Sequence, residues 1–145
     1  MWTKRLPTDY DCLAPDQSEI RLLLETKETK RGSLVHCTLP PGATSLAVAH
    51  KSVEEIWYVL QGSGQLWRKQ GNREEMVDLQ PGVCVMIPTR THFQFRSSSD
   101  EPLSLILSTM PVWTGEHEAE RVPDHWPVTR KEGTSKPTYK GSESS

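Results

Sequence analysis

Cysteine is scarce in this chain of 145 residues: Cys12, Cys37 and Cys84 stand far apart, in an odd number, with no Cys-x-x-Cys pair. That spacing sets aside a zinc knuckle and a dithiol redox site. Cys37 and Cys84 lie within apolar segments and are expected to act as small core residues in a reduced, intracellular setting. An excess of either charge is also missing. The net charge is -2 and the pI is near 6.2, which leaves no electrostatic footprint for nucleic acid and no basic run that would hold anionic lipid. No apolar run is long enough to cross a bilayer. The first residues, MWTKRLPTDYDC, lack the apolar core and small-residue cleavage site of a secretory signal, so a soluble cytoplasmic protein is expected. Helical periodicity and repeats at a solenoid period are missing too.

What the chain does contain is a succession of short apolar-alternating segments separated by turn residues. Strands are predicted at Ile20–Glu25, Ser33–Leu39, Thr44–His50, Glu54–Gln61, Gly64–Gln70, Glu74–Gln80, Val83–Ile87, Thr91–Ser97 and Pro102–Met110. Pro40-Pro41-Gly42, Gly71-Asn72 and Pro81-Gly82 mark turns between them. Regular spacing of this kind is the signature of an all-β sandwich or barrel. The length suits one domain. Residues 1–32 read as an N-terminal arm and edge strand, 33–110 as the barrel, 111–127 as a C-terminal arm packing on it, and 128–145 as a polar, disordered tail. Trp113 and Trp126 are expected to staple the C-terminal arm to the barrel, with His117 and His125 at the surface.

Strand alternation then sorts side chains by face. Val48 and His50 share one face of their strand, Glu55 and Trp57 one face of the next, and His92, Gln94 and Arg96 one face of a third, opposite Phe93 and Phe95. Turning His50, Glu55 and His92 toward one interior brings Val48, Trp57 and Gln94 with them, which describes an apolar pocket with a few convergent polar groups. Ile56, Tyr58 and Leu60 then form an apolar outer face, and covering it calls for the N-terminal arm or a second subunit, so a homodimer is expected.

These residues resemble the cupin superfamily. Gly42, His50, Glu55 and Gly62 follow that family's first motif, and Gly82, Pro88 and His92 look like its second; the likeness spans about Ser33 to Met110. It implies a double-stranded β-helix, a jelly-roll barrel of two sheets, in which motif His and Glu residues hold a divalent metal. The departures are specific. Val48 stands where the first His is usual, Arg90 where a glycine is usual, Arg96 at the closing Asn position, and His92 comes one residue early. His50, Glu55 and His92 are the ligands the resemblance leaves, and two imidazoles with one carboxylate suit Fe and tolerate Mn, Ni or Zn. His36 is the candidate to replace the missing ligand, although its neighbours Val35 and Cys37 make an outward position the simpler reading.

Three functions follow. The first is a metal-dependent enzyme of dioxygenase, isomerase or lyase type, with Val48, Trp57, Gln94 and Arg96 lining the substrate pocket and Gln94 and Arg96 orienting an anionic or hydroxylated substrate. The second is a metal-free module binding a sugar or metabolite. The third is a metal-free isomerase or epimerase in which His50 or His92 is the base and Glu55 its partner. All three take a small-molecule ligand. Substrate identity is not written in the motifs.

Overall fold

The computed structural model describes residues 1–129, and the expected disorder of the tail beyond Thr129 lies outside the described residues. Eleven strands are formed among them: β1 (Cys12–Leu13), β2 (Glu19–Leu24), β3 (Ser33–Leu39), β4 (Val48–His50), β5 (Glu54–Gln61), β6 (Gly64–Gln70), β7 (Arg73–Leu79), β8 (Cys84–Ile87), β9 (His92–Ser97), β10 (Leu103–Met110) and β11 (Ala119–Arg121). One 3-10 turn, Glu116–Glu118, precedes β11. The strands make two antiparallel sheets, one ordered β1-β2-β3-β10-β5-β8 and the other β11-β4-β9-β6-β7. From β3 onward every connection but the β6–β7 hairpin crosses between the sheets, which gives the jelly roll.

Period-two burial drives the closure. In β3, Ser33, Val35, Cys37 and Leu39 are buried while Leu34, His36 and Thr38 are half-buried. In β5, Glu55, Trp57 and Val59 are buried while Ile56, Tyr58 and Leu60 are exposed. The inner faces meet in one core that includes Leu66, Ile87, Phe93, Phe95 and Leu105. Gly62 closes the β5–β6 corner at φ 82°, where a Cβ would sit 2.2 Å from the Pro102 carbonyl oxygen. Only glycine fits there.

Three elements depart from the predicted strands: β1 and β11, the latter paired with β4, are additional, and the third is shortened. Thr44–Ala47 stays outside the ladder apart from one bridge between Thr44 and Arg96, because its backbone donors go elsewhere. Leu46 N donates to Asp16 O, Ala47 N to the Asp124 carboxylate and Thr44 N to Thr129 Oγ1. The segment before β2 and the described part of the C-terminal arm are therefore both bonded to Thr44–Ala47. The N-terminal residues also do more than cover an edge: β2 pairs with β3 from Glu19 to Leu24 and β1 pairs with β2.

Candidate functional site

Between the sheets lies a cavity with about 50 Å³ of free space. Its walls come from β3, β4, β5, β9 and β10, with Trp113 on one side and the loop before β2 (Ala14, Pro15, Asp16 and Ser18) on another. Trp57, Phe93 and Phe95 pack edge-to-face, at centroid separations of 5.7 and 4.9 Å from the indole. His50 is held between Phe93 and Trp113, each 5.2 Å away and steeply inclined.

Two carboxyl groups break this apolar lining. Glu55 is 4% exposed. Its Oε1 accepts a 2.8 Å hydrogen bond from Trp57 Nε1, two residues along the same face, and its Oε2 lies 3.9 Å from His50 Nδ1. Burial pushes the Glu55 carboxyl above the usual range, against the pull of His50 and the Trp57 bond, with Asp16 raising it further. Asp16 is buried as well and is raised by the same desolvation, although Ser18 donates to it from both N (3.0 Å) and Oγ (2.6 Å). Two buried side-chain atoms on this wall have no hydrogen-bond partner among the described residues: His50 Nδ1 and Thr109 Oγ1. A buried polar atom left unpaired costs about 1–3 kcal/mol. Two in one cavity mark a place built to meet something else.

Just behind His50, Glu118 fastens the 3-10 turn to the β4–β5 connection. It accepts from Ser52 N, Ser52 Oγ and Val53 N. Burial pushes its carboxyl up, but these bonds outweigh that and hold it below the usual range. Cys37 also faces the cavity, and burial pushes its thiol far above the ordinary value, which argues against a nucleophile.

Of the residues predicted from sequence, the structure brings His50, Glu55, Val48 and Trp57 together on the cavity wall. Four others it places elsewhere. Val48 pairs directly with Phe93, and residues opposed across a ladder share a face. Phe93 and Phe95 therefore point inward, which sends His92, Gln94 and Arg96 outward. The face assignment for β9 is reversed, because two phenylalanines gain more by burial than the polar set does. His92 lies opposite Lys69 of β6. Gln94 is fully buried, but on the far side of the sheet. Its Nε2 donates to Ser45 O and Trp126 O, and its Oε1 accepts from His125 N and Trp126 N, all at 2.8–3.0 Å. Arg96 donates twice to Gln65 Oε1 and stacks 4.2 Å over Trp126. His36 is on the outer face of β3, across from Arg21 and Ile106. Trp126 staples the C-terminal arm as expected, and His125 stacks flat on Trp67 at 4.9 Å. Trp113 is buried against the barrel core and also lines the cavity.

Sequence reasoning missed Asp16, Thr109 and Trp113. Asp16 had one local signal: Asp-x-Ser is a turn-forming pattern in which the carboxylate bonds the backbone two residues on. Nothing local marks the other two, because their inward position depends on which way β10 and the following loop face.

A cupin-domain family model (Cupin_2) matches residues 35–109. The chain belongs to the cupin family. Uncharacterized protein MJ1618 of Methanocaldococcus jannaschii is 29% identical over 119 residues, covering 78% of this chain and 92% of its own length. Among solved structures, ectoine synthase from P. lautus superposes with a TM-score of 0.68 at 19% identity, over 93% of this chain and 96% of the other. Streptomyces PAC13 with uridine gives 0.64 at 14%, over 84% and 92%. Likeness at that level speaks for the fold. No helix among the described residues is long and apolar enough to cross a membrane.

The cupin motif explains why a metal does not fit this wall. Arg90 takes the usual glycine position and adopts φ 66°, a left-handed conformation that glycine holds without strain. With that register kept, the second-motif ligand position falls on Phe93, one residue after His92. Val48 occupies the other vacated His position. One imidazole and one carboxylate therefore remain from the family set. Among the described residues no three of His, Cys, Asp or Glu come close enough to hold an ion. The three predicted ligands His50, Glu55 and His92 do not converge, so Fe, Mn, Ni or Zn lacks its cage here.

Proposed function

We propose that this cupin binds a small molecule in the barrel and transfers protons on it without a metal, with His50 and Glu55 as the acid–base pair. The observation that carries the reading is the buried His50–Glu55 pair, with an unpartnered Nδ1 beside a carboxyl group that burial has raised. Isomerisation, epimerisation and elimination each need one group to accept a proton and another to return it, and such groups work best when their environments separate their proton affinities. Glu55, deprived of water, holds its proton to higher pH and serves as donor. His50 Nδ1, 3.9 Å from that carboxyl and without a hydrogen-bond partner, serves as acceptor. The aromatic walls exclude water from the transfer. Trp57 fixes the rotamer of Glu55 through its indole N–H, and Glu118 fixes the loop that carries Ser52 and Val53 between His50 and Glu55.

The test is to purify untagged protein, measure its metal content, and screen metabolites by thermal shift, since a ligand of the folded state raises the melting temperature. A hit whose conversion is lost in both His50→Asn and Glu55→Gln, at unchanged metal content, supports the proposal. Stoichiometric Fe, Mn, Ni or Zn that disappears in Glu55→Ala overturns it.

The same reading includes a homodimer and a reducing cytoplasm. Ile56, Tyr58 and Leu60 are 40–47% exposed on one strip of β5, beside Met86 of β8 at 42%. A patch of that kind is suited to a second copy. Cys12 and Cys37 are buried free thiols, while Cys84, expected in the core, is a free thiol on the exposed face of β8; a reducing compartment permits all three.

A further inference from the structure

Resting on the acid–base cavity just proposed, we propose that its ligand is a small primary alkylammonium, with the nitrogen held among Glu55, His50 and Thr109. The charge of the lining points first to a cation. Glu55 and Asp16 both face the cavity, and among the described residues no lysine or arginine does. Arg96, the one guanidinium that the sequence suggested for an anion, is occupied on the outer face by Gln65 and Trp126. A carboxylate or phosphate entering here would meet two acids and no fixed positive charge. Transfer of the Glu55 proton to an amine that enters uncharged would make the ammonium and leave a carboxylate as its countercharge and acceptor, which a desolvated carboxyl otherwise lacks.

The hydrogen-bonding atoms narrow the class further. An –NH3⁺ group has three donors and no acceptor. The cavity offers three matching sites: Glu55 Oε2, His50 Nδ1 and Thr109 Oγ1, the last two without partners. His50 and Thr109 are each 5% exposed, so bulk water does not replace the missing bond. Thr109 and Glu55 sit directly opposite one another on β10 and β5, which puts both on the same wall. The 3.9 Å between His50 Nδ1 and Glu55 Oε2 is too long for a hydrogen bond. A nitrogen about 2.8 Å from each would see them at roughly 90°, near the spread of adjacent N–H bonds. An alcohol can donate only once and leaves two acceptors unmet. The rings of Trp57, Phe93 and Trp113 complete the site, since aromatic faces attract a desolvated cation and their bulk suits a short alkyl body.

Three probes of one shape and different charge test this on the unmodified protein: isopropylammonium, isopropanol and isobutyrate, titrated at pH 7 with the His50 ring followed by NMR. The expected result is that isopropylammonium binds at least tenfold more tightly than isopropanol, and that isobutyrate does not shift the His50 signals. In Thr109→Val, checked by thermal unfolding for an intact fold, the ammonium preference should fall several-fold while isopropanol is unaffected. Isopropanol binding as tightly as the ammonium overturns the inference and leaves the small-molecule cavity standing. Isobutyrate binding most tightly overturns it in the same way. Failure of all three to perturb His50 overturns both.

Discussion

Replacing Gln94 by leucine separates the two places this residue could have occupied. The change keeps side-chain volume close and removes four hydrogen bonds: two donated, to Ser45 O and Trp126 O, and two accepted, from His125 N and Trp126 N. A buried bond is worth about 1 kcal/mol net, and more where the abandoned partner stays dry. The three backbone groups on the arm can reach water if the arm lifts, which limits the loss, whereas Ser45 O stays under the barrel wall. Releasing the arm also frees Trp126 from Arg96 and His125 from Trp67. The sum is about 2–4 kcal/mol, or a fall in melting temperature of roughly 10 °C for a chain of this size. Calorimetry reads the stability. Trypsin reads the arm, because Arg121 is now tied to Asp124 and Ala47 O and would become cleavable once the arm opens. A loss below about 1 kcal/mol with unchanged trypsin kinetics would refute the reasoning. So would weakened isopropylammonium binding at full stability, which would put Gln94 back in the pocket.

Glu55→Gln should show a pH-dependent gain. The folded-state carboxyl of Glu55 is raised above its unfolded value, so the native state binds more protons between the two, stability falls as pH climbs through that window, and the burden is complete above the folded value. The glutamine variant should therefore melt higher than wild type near pH 8, with the difference shrinking toward pH 4; a difference that does not change with pH counts against a buried carboxyl. Val48→His combined with Phe93→His should restore two imidazoles to the wall holding His50 and Glu55, and elemental analysis should find about one equivalent of Zn or Ni in the double variant and none in wild type. Tyr58→Lys places a charge in the exposed strip with Ile56 and Leu60, and light scattering should show the proposed dimer weakened to monomer with the melting curve otherwise cooperative.

Most of the barrel was legible because it rests on local signals. Ser33–Leu39, Glu54–Gln61 and Gly64–Gln70 begin and end where alternation and turn residues put them. The motif glycine Gly62 marked a corner that no other residue can turn. Thr44–Ala47 read as strand because its composition suits one, and only the distant partners Asp16, Asp124 and Thr129 show why it is not. The site was half legible for a related reason. Alternation divides β9 into His92, Gln94, Arg96 and Phe93, Phe95, but it is silent on which half faces the core. A spacing one residue short of the usual motif was the available clue, and the positive φ of Arg90 gives it a structural cause. Asp16 comes from a segment that reads as an arm, and its place in the cavity follows from β2 pairing along β3.

On the function proposed above, the two side chains that empty the metal cage also set up the acid–base pair. Val48 and Phe93 face each other across β4 and β9, where the family pattern expects imidazoles. Had imidazoles stood there, they and an ion would have neutralised Glu55 and satisfied His50 Nδ1, fixing both as ligands with no proton to exchange. An isopropyl group and a phenyl ring do the opposite. They withdraw water and countercharge from Glu55, which raises its carboxyl, and they leave His50 Nδ1 with no partner. A carboxyl that burial raises and an unpartnered imidazole nitrogen, 3.9 Å apart in an aromatic pocket, form the donor–acceptor pair proposed above. Loss of the cage thus need not mean loss of function in this barrel. The double histidine variant bears on both halves at once: as it gains an ion it should lose the ammonium preference, because the same two atoms cannot ligate a metal and receive N–H bonds together.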